Sequence, residues 1–535
     1  MANQLIKPFN EDFADYLRDE SRITGQADSI SFPKNKQELI GILQELAGTN
    51  TPITVQGGRT GLAAAAVPFG GHALNFMRMD AVTGLRKDQS GRYYVRVQPG
   101  VVLSKLRKML ESRKFEAAHL QSWDQSSLAA LTEFARAPEQ FFSPDPTEAS
   151  ATIGGMIACN ASGARSYLYG PVRPYITQLK LALADGDTLT MCRGQYHAKG
   201  RKLTLTTDSG RVICCDLPSY EMPKTKNASG YYIEDNMDAI DLFIGSDGTL
   251  AIIYEAELAL LPLPARIWGV SCFFTQESQA IALVELVREQ LDRIAAIEFF
   301  DRDALAILRR QKEESTAFAA LPAVMPGMEA AIYLEIHAED EKIAYERLFA
   351  LGKLIGAVGG REDDTWVART AADRDRLVFF RHAVPESVNM LIDQRKKTEP
   401  TITKLGTDMS APDSELSNIM TMYRQMLMEK GLESAIWGHI GDNHLHVNIL
   451  PRNAADQLTG KELYQQWAER ISALGGAVSA EHGVGKLKVS FLETMYGSDH
   501  IAEMAAMKKN FDPQYQLGRD NLFAARRFAE GGERS

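Results

Sequence analysis

Of the ten histidines in this 535-residue chain, four fall between positions 439 and 482. They occupy Gly438-His439-Ile-Gly-Asp-Asn-His444-Leu-His446-Val-Asn448 and Ser479-Ala480-Glu481-His482-Gly483-Val484-Gly485. The first stretch reads as strand–turn–strand, so His439 and His446 flank a tight Gly-Asp turn and both imidazoles can converge on one point. Glu481, on a separate loop, would complete three protein ligands and leave an open position. That is the arrangement of a catalytic divalent metal, with zinc the first expectation. His444 stands either as a further ligand or facing outward, and the spacing leaves both open.

A second set of residues could hold a phosphate. A strand at 53–56 runs directly into Gly57-Gly58-Arg59-Thr60-Gly61-Leu62. Adjacent glycines after a strand permit positive φ and let backbone N–H groups crowd an anion. The stretch spells neither GxGxxG nor GxxxxGKS, which excludes the dinucleotide-helix and P-loop readings. Two more glycine-rich stretches follow. One runs from Asp145 through Thr152-Ile-Gly154-Gly155-Met-Ile-Ala158-Cys-Asn160-Ala-Ser-Gly163, and the other is Gly245-Ser-Asp-Gly248-Thr-Leu-Ala-Ile252.

The elements that must position these groups follow from periodicity. Asn35-Lys36-Gln37-Glu38 has capping-box spacing, and Leu39, Ile40, Leu43 and Leu46 then repeat at helical period. Segments 93–97 and 179–183 read as strands, the second entering a hairpin at Asp185-Gly186-Asp187. Beyond Leu261-Pro262-Leu263-Pro264 the pattern alternates helices (277–291, 340–354, 414–430) with strands (295–300, 330–336). This predicts helices on one face of a sheet. The fold class is α+β, and the segment after about Gly475 is again helical apart from one glycine turn.

Bulk properties bound the function. The length exceeds one hydrophobic core. The formal net charge of −10 argues against nucleic acid, which needs clustered cations, but allows a small anionic substrate in a local cationic pocket. Cys159, Cys192, Cys214, Cys215 and Cys272 form no CxxC pair, so zinc-ribbon and iron–sulfur frameworks are not encoded. The first residues carry acidic groups and no apolar stretch of signal-peptide type. No apolar run approaches the roughly 18 residues of a membrane span. The expected location is cytoplasmic, with peripheral membrane contact and a homodimer left open.

Together and in this order, the three glycine loops resemble the vanillyl-alcohol-oxidase/PCMH family of flavoproteins. The particular likeness is to its D-lactate, D-2-hydroxyglutarate and glycolate dehydrogenase branch. The histidine stretches are similar to that branch's GHxGDGNLHxN and SAEHGxG motifs, and the likeness spans nearly the whole chain. It implies a PCMH-type FAD-binding domain (1–265) and a ferredoxin-like, helix-on-antiparallel-sheet substrate and metal domain (266–475). A C-terminal segment (476–535) would return to the FAD domain. It further implies that Gln56, Gly57, Gly58, Arg59, Thr60, Gly61 and Leu62 contact FAD. In the second loop the implied contacts are Thr152, Gly154, Gly155, Ala158, Asn160 and Gly163, and in the third Gly248 and Ile252. His439, His446 and Glu481 would bind the metal, His482 would be the base, and Asn448 would approach substrate and flavin. Arg381 and Lys404 would hold the substrate carboxylate.

The resemblance thus predicts oxidation of a D-2-hydroxy acid, with metal-assisted hydroxyl activation and hydride transfer to flavin N5. The reduced flavin would pass its electrons to an external acceptor: electron-transfer flavoprotein, cytochrome, quinone or dye. The alternative within the same fold is an alkyl-transfer enzyme like the ether-lipid synthases. Three positions depart from the family pattern: His444 stands where Asn is usual, Leu517-Gly518-Arg519-Asp520 replaces Asn-Pro-Gly-Lys, and Arg59 occupies the place of a tethering histidine. Arg59 predicts noncovalent FAD. Acid precipitation should therefore release all the yellow colour into the supernatant, and flavin retained in the pellet would refute the expectation.

Overall fold

A computed structural model of the chain describes residues 5–530. The N-terminal part begins as the caps dictate. Asn35 accepts from the Glu38 N–H at 2.9 Å and opens helix Lys36–Leu46, which buries Leu39, Ile42, Leu43 and Leu46. Strands Ser29–Ser31, His72–Asn75 and Ile53–Gln56 pair in parallel beside this helix. Their shared core extends to Ile252, Tyr254 and Leu517. A five-stranded antiparallel sheet follows, in the order Val82–Lys87, Tyr93–Val97, Ile252–Ala259, Ile176–Ala182, Thr188–Cys192. The hairpin at Asp185 closes as its sequence implies, with Leu183 N–H bonded to Asp187 O and Gly186 at φ +85°.

The second half is built on an eight-stranded antiparallel sheet. Its main path runs Thr365–Ala368, Arg266–Phe274, Ala330–Ala338, Ile294–Asp301, Ser434–His439, His444–Ile449, Leu405–Gly406. Met409–Ser410 also pairs with His444–Ile449. One face presents Val270, Ile332, Leu334, Phe299, Val447 and Ile449 to helices Glu277–Gln290, Glu341–Ala357, Leu416–Lys430 and Ala454–Ala473. The sequence pattern pointed to helices on that face alone. Helices Arg302–Glu314 and Ala371–Arg395 also cover part of the other face, over Phe273, Phe300, Tyr333 and Trp437. The strands are apolar on both sides there, as strands covered twice must be.

Because side chains alternate along a strand, the face opposite Leu445, Val447 and Ile449 receives His444, His446 and Asn448. The same parity puts Glu298 opposite Ile297 and Phe299, and His439 on the side of Trp437. The polar residues of the site therefore share one sheet face.

Helix Val489–Lys509 buries Leu492, Ile501, Met504 and Ala505 in the core of the first half. Leu517 bridges in parallel to Ile53, at the strand that leads into the first glycine loop. No helix among the described residues is long and apolar enough to cross a membrane. Lys508 and Asp512, both 0% exposed, form an ion pair in this region, and the ammonium also donates to the carbonyls of Thr249 and Leu517. Lys508→Met strands the buried Asp512 charge and should cost about 3–5 kcal/mol in urea unfolding. A loss no greater than the roughly 1 kcal/mol of a surface pair would refute this.

Candidate active site

The three glycine loops meet at one cavity. It is lined by Gln56, Gly57, Gly58, Arg59, Thr60, Gly61, Leu62, Thr152, Gly154, Gly155, Ala158, Gly248 and Ile252. The first loop touches the second so closely that side chains are excluded: a Cβ on Gly57 would lie 2.1 Å from Thr152 Oγ1. The Gly58 N–H donates to that same hydroxyl at 3.4 Å. Arg59, at φ +57°, lays its guanidinium over the Tyr16 ring at 4.3 Å. Asn160 and Gly163 stand behind the wall instead. Asn160 accepts from the Arg173 N–H at 3.0 Å, and a Cβ on Gly163 would come within 1.7 Å of Asp145 O. Both shape the loop from behind. The glycine-lined concavity and its apolar Ala and Ile contributions fit a flavin dinucleotide.

The same cavity is walled by His439, His446, Glu481 and His482. His439 Nδ1 donates to Glu298 Oε1 at 2.6 Å, and its Nε2 lies 3.1 Å from Glu481 Oε2. His446 Nδ1 donates to the Thr407 carbonyl at 3.0 Å. A carbonyl can only accept, so the proton sits on Nδ1 and the Nε2 lone pair is free. One donor atom from each of His439, His444, His446 and Glu481 lies within 4.8 Å of all the others. Imidazoles oriented by outer acceptors, together with an ionised carboxylate, form a donor set that fits a borderline divalent ion.

His482 stacks nearly parallel to His446, with ring centroids 5.7 Å apart. Its Nδ1 is 3.4 Å from Asp408 Oδ2, and its backbone N–H donates to that oxygen at 3.1 Å. Both contacts with Asp408 are made without Nε2. Arg381, Lys404 and Asn448 do not line the cavity. The Arg381 guanidinium faces Glu298 Oε2 at 3.9 Å and donates to His382 Nε2 at 2.9 Å. Asn448, 2% exposed, donates to the His446 carbonyl at 2.8 Å. Lys404 leads into Leu405–Gly406, paired with Asn448 and Ile449, and makes no ion pair with a described residue.

Burial and charge set the protonation states. Burial opposes the charged form of His439, but the Glu298 and Glu481 carboxylates outweigh it and hold its pKa at about 9. A divalent ion bound by this imidazole would have to displace that proton. Burial, helped by the neighbouring histidines, pushes His446 well down. Burial also lowers His482 to about 4, against the pull of Asp408. Glu481 is buried too, yet Lys226 and His439 keep it well below the ordinary carboxylate range. Burial lowers Lys404 to about 8, and the Arg22 charge adds to the shift.

Three residues of the site were not singled out from the sequence. Glu298 was signalled by a lone carboxylate inside an apolar strand, and Asp408 by its place in Thr407-Asp408-Met409. Lys226, its side chain 6% exposed and its Nζ 3.7 Å from Glu481 Oε2, had no such signal. The loop contact yields a direct test. Gly57→Ala should give folded protein with a low flavin-to-protein absorbance ratio. Adding Thr152→Ala removes the colliding oxygen and should restore part of that ratio. Full flavin occupancy in Gly57→Ala alone would refute the contact argument.

Comparison with known proteins agrees with this architecture. A model of the FAD binding domain matches residues 27–132 and 126–191, and a model of the C-terminal domain of FAD-linked oxidases matches residues 263–522. A D-lactate dehydrogenase of Archaeoglobus fulgidus is 27% identical over 90% of this chain and 88% of its own length. The glycolate oxidase subunit GlcD of Bacillus subtilis is 25% identical, covering 93% and 89%. A D-2-hydroxyglutarate dehydrogenase of Stutzerimonas stutzeri is 25% identical, covering 93% and 91%. Among solved structures, 4-ethylphenol oxidase from Gulosibacter chungangensis has a TM-score of 0.64 at 14% identity, covering 98% of this chain and 95% of that one. An alkyldihydroxyacetonephosphate synthase has a TM-score of 0.61 at 13% identity, covering 96% and 82%. These two likenesses speak to the fold alone. With the FAD binding domain in its first half and the oxidase C-terminal domain in its second, the chain belongs to the FAD-linked oxidases, a family of oxidoreductases.

Proposed function

We propose that the chain is an FAD-dependent dehydrogenase that oxidises a small D-2-hydroxy acid, of the lactate, glycolate or 2-hydroxyglutarate class, to its 2-oxo acid. One observation carries the reading: a single cavity has the three glycine loops in one part of its wall and His439, His446, Glu481 and His482 in another. Relatives named for 2-hydroxy acids, aligned over nine-tenths of the chain, support it. When bound, FAD supplies the acceptor for two electrons and the C2 hydrogen, and a divalent ion held by His439, His446 and Glu481 supplies Lewis-acid polarisation of the hydroxyl.

The remaining work falls to the side chains. His482 takes the hydroxyl proton at Nε2, and Asp408, facing Nδ1, keeps the ring oriented and balances its charge. Arg381 and Lys404, which stand outside the cavity wall, are the cations this reading assigns to the substrate carboxylate. Asn448 lies on the histidine face and is held to its own strand by donating to the His446 carbonyl. With no CxxC pair to hold a cluster, electrons leave to an external acceptor.

Anaerobic mixing with a panel of D- and L-hydroxy acids should bleach the flavin with the D forms. A flavin that stays yellow with every member overturns the reading. Chelation should abolish turnover and leave FAD in place. Glu481→Gln should weaken metal binding, and added metal should restore part of the rate. His482→Ala should keep both FAD and metal and lose roughly 10²–10⁴-fold in rate, with no rescue by metal. Equal, metal-rescuable losses in both variants would mean that His482 is not the base.

A further inference from the structure

Each metal-facing imidazole has one ring nitrogen turned outward to an oxygen that holds it and the other turned toward the cluster. For His439 the outer oxygen belongs to Glu298, and for His446 it is the Thr407 carbonyl. His444 matches the placement but not the bond: its Nε2 lies 2.9 Å from Asp408 Oδ1, too obliquely for a hydrogen bond. Its Nδ1 lies 3.5 Å from Glu481 Oε2, and neither ring nitrogen has a hydrogen-bond partner, although the residue is 0% exposed. A buried ring nitrogen without a partner needs an explanation. The sheet supplies the placement. His444 is two residues from His446 and so shares its face, and it pairs directly across the ladder with His439.

We infer that His444 is a fourth protein ligand, so that the site offers three imidazoles and one carboxylate. The inference rests on the metal reading above and extends it at a position where the resembled family carries Asn. Four protein ligands complete a tetrahedron. A hydroxy acid would then reach the ion only at a coordination number of five or more, which a divalent first-row ion can adopt.

X-ray absorption on the flavin-replete wild-type protein loaded with zinc, and separately with manganese, counts the ligands directly. Three imidazoles in the first shell are expected; two would overturn the inference while leaving the metal reading intact. Wild-type protein that binds neither ion would fail the metal reading itself. In chelator competition with zinc, His444→Asn should bind the ion at least as much more weakly as the roughly 10–100-fold cost of losing an outer-shell partner. Flavin content and melting temperature serve as checks on folding. Unchanged affinity in a folded, flavin-loaded variant would also overturn the inference, and if the variant does not fold, the wild-type ligand count decides.

Discussion

A carboxylate that is 1% exposed has to be neutralised where it lies, and Asp408 is neutralised by groups that the site cannot do without. Its Oδ2 accepts from the Lys488 ammonium, from Ser479 Oγ at 2.7 Å and from the His482 N–H at 3.1 Å, while its Oδ1 faces His444. Its carbonyl accepts from the Ala480 N–H at 2.7 Å. Leaving such a charge unpaired costs several kcal/mol, so these partners are held together as a set. The set ties the Glu481-His482 turn to the strands that carry the other histidines. The same segment then reaches the flavin loops. Asp247 of the third loop accepts from the N–H groups of Val484 and Gly485, and Lys486 donates to the carbonyls of Ala64 and Ala65. Segment 479–488 thus clamps the histidine hairpin to the third glycine loop and to the residues that follow the first.

How much of this was legible in the sequence depended on how local the cause was. Strand Ile53–Gln56 was readable because a short apolar run ended in glycines, and the start of helix Lys36–Leu46 because Asn35 caps it. Even there the detail differed: Glu38 turns back to the Lys34 N–H at 2.8 Å and not to that of Asn35, so the box closes one residue early. The hairpin geometry that gathers His439, His444 and His446 was likewise local. Glu298 bonds a histidine 141 positions away, and no periodicity reports such a partner. Helices on both sheet faces had a signal that went unread. Ala330-Ala331-Ile332-Tyr333-Leu334 is apolar at consecutive positions, whereas a strand with one wet face would alternate.

The division of duties between Glu481 and His482 follows from the clamp. His482 is fixed through its backbone N–H to Asp408, and the carboxylate of its neighbour is gathered by Lys226, His439 and His444. Two adjacent side chains on a segment without helical repeat can therefore serve different partners, one facing the histidine cluster and the other standing beside His446. Gly483, at φ +70°, turns the chain immediately afterwards, and a Cβ there would meet Asp247 Oδ1 at 2.7 Å. The turn and the close approach to the third loop both require glycine at that position.

Glu298 carries the same logic to the carboxylate end of the site. One of its oxygens holds the Nδ1 proton of His439, and the other faces the Arg381 guanidinium at 3.9 Å. Burial would raise its pKa, but the charges of His439, Arg381 and Lys226 keep it ionised. If Arg381 takes the substrate carboxylate as proposed, its hold on Glu298 would weaken and the Glu298 carboxylate would have more negative charge to offer His439. A more basic imidazole is a better donor to a cation. On the proposed reading, a substrate carboxylate at Arg381 and a divalent ion at His439 would both be felt by Glu298.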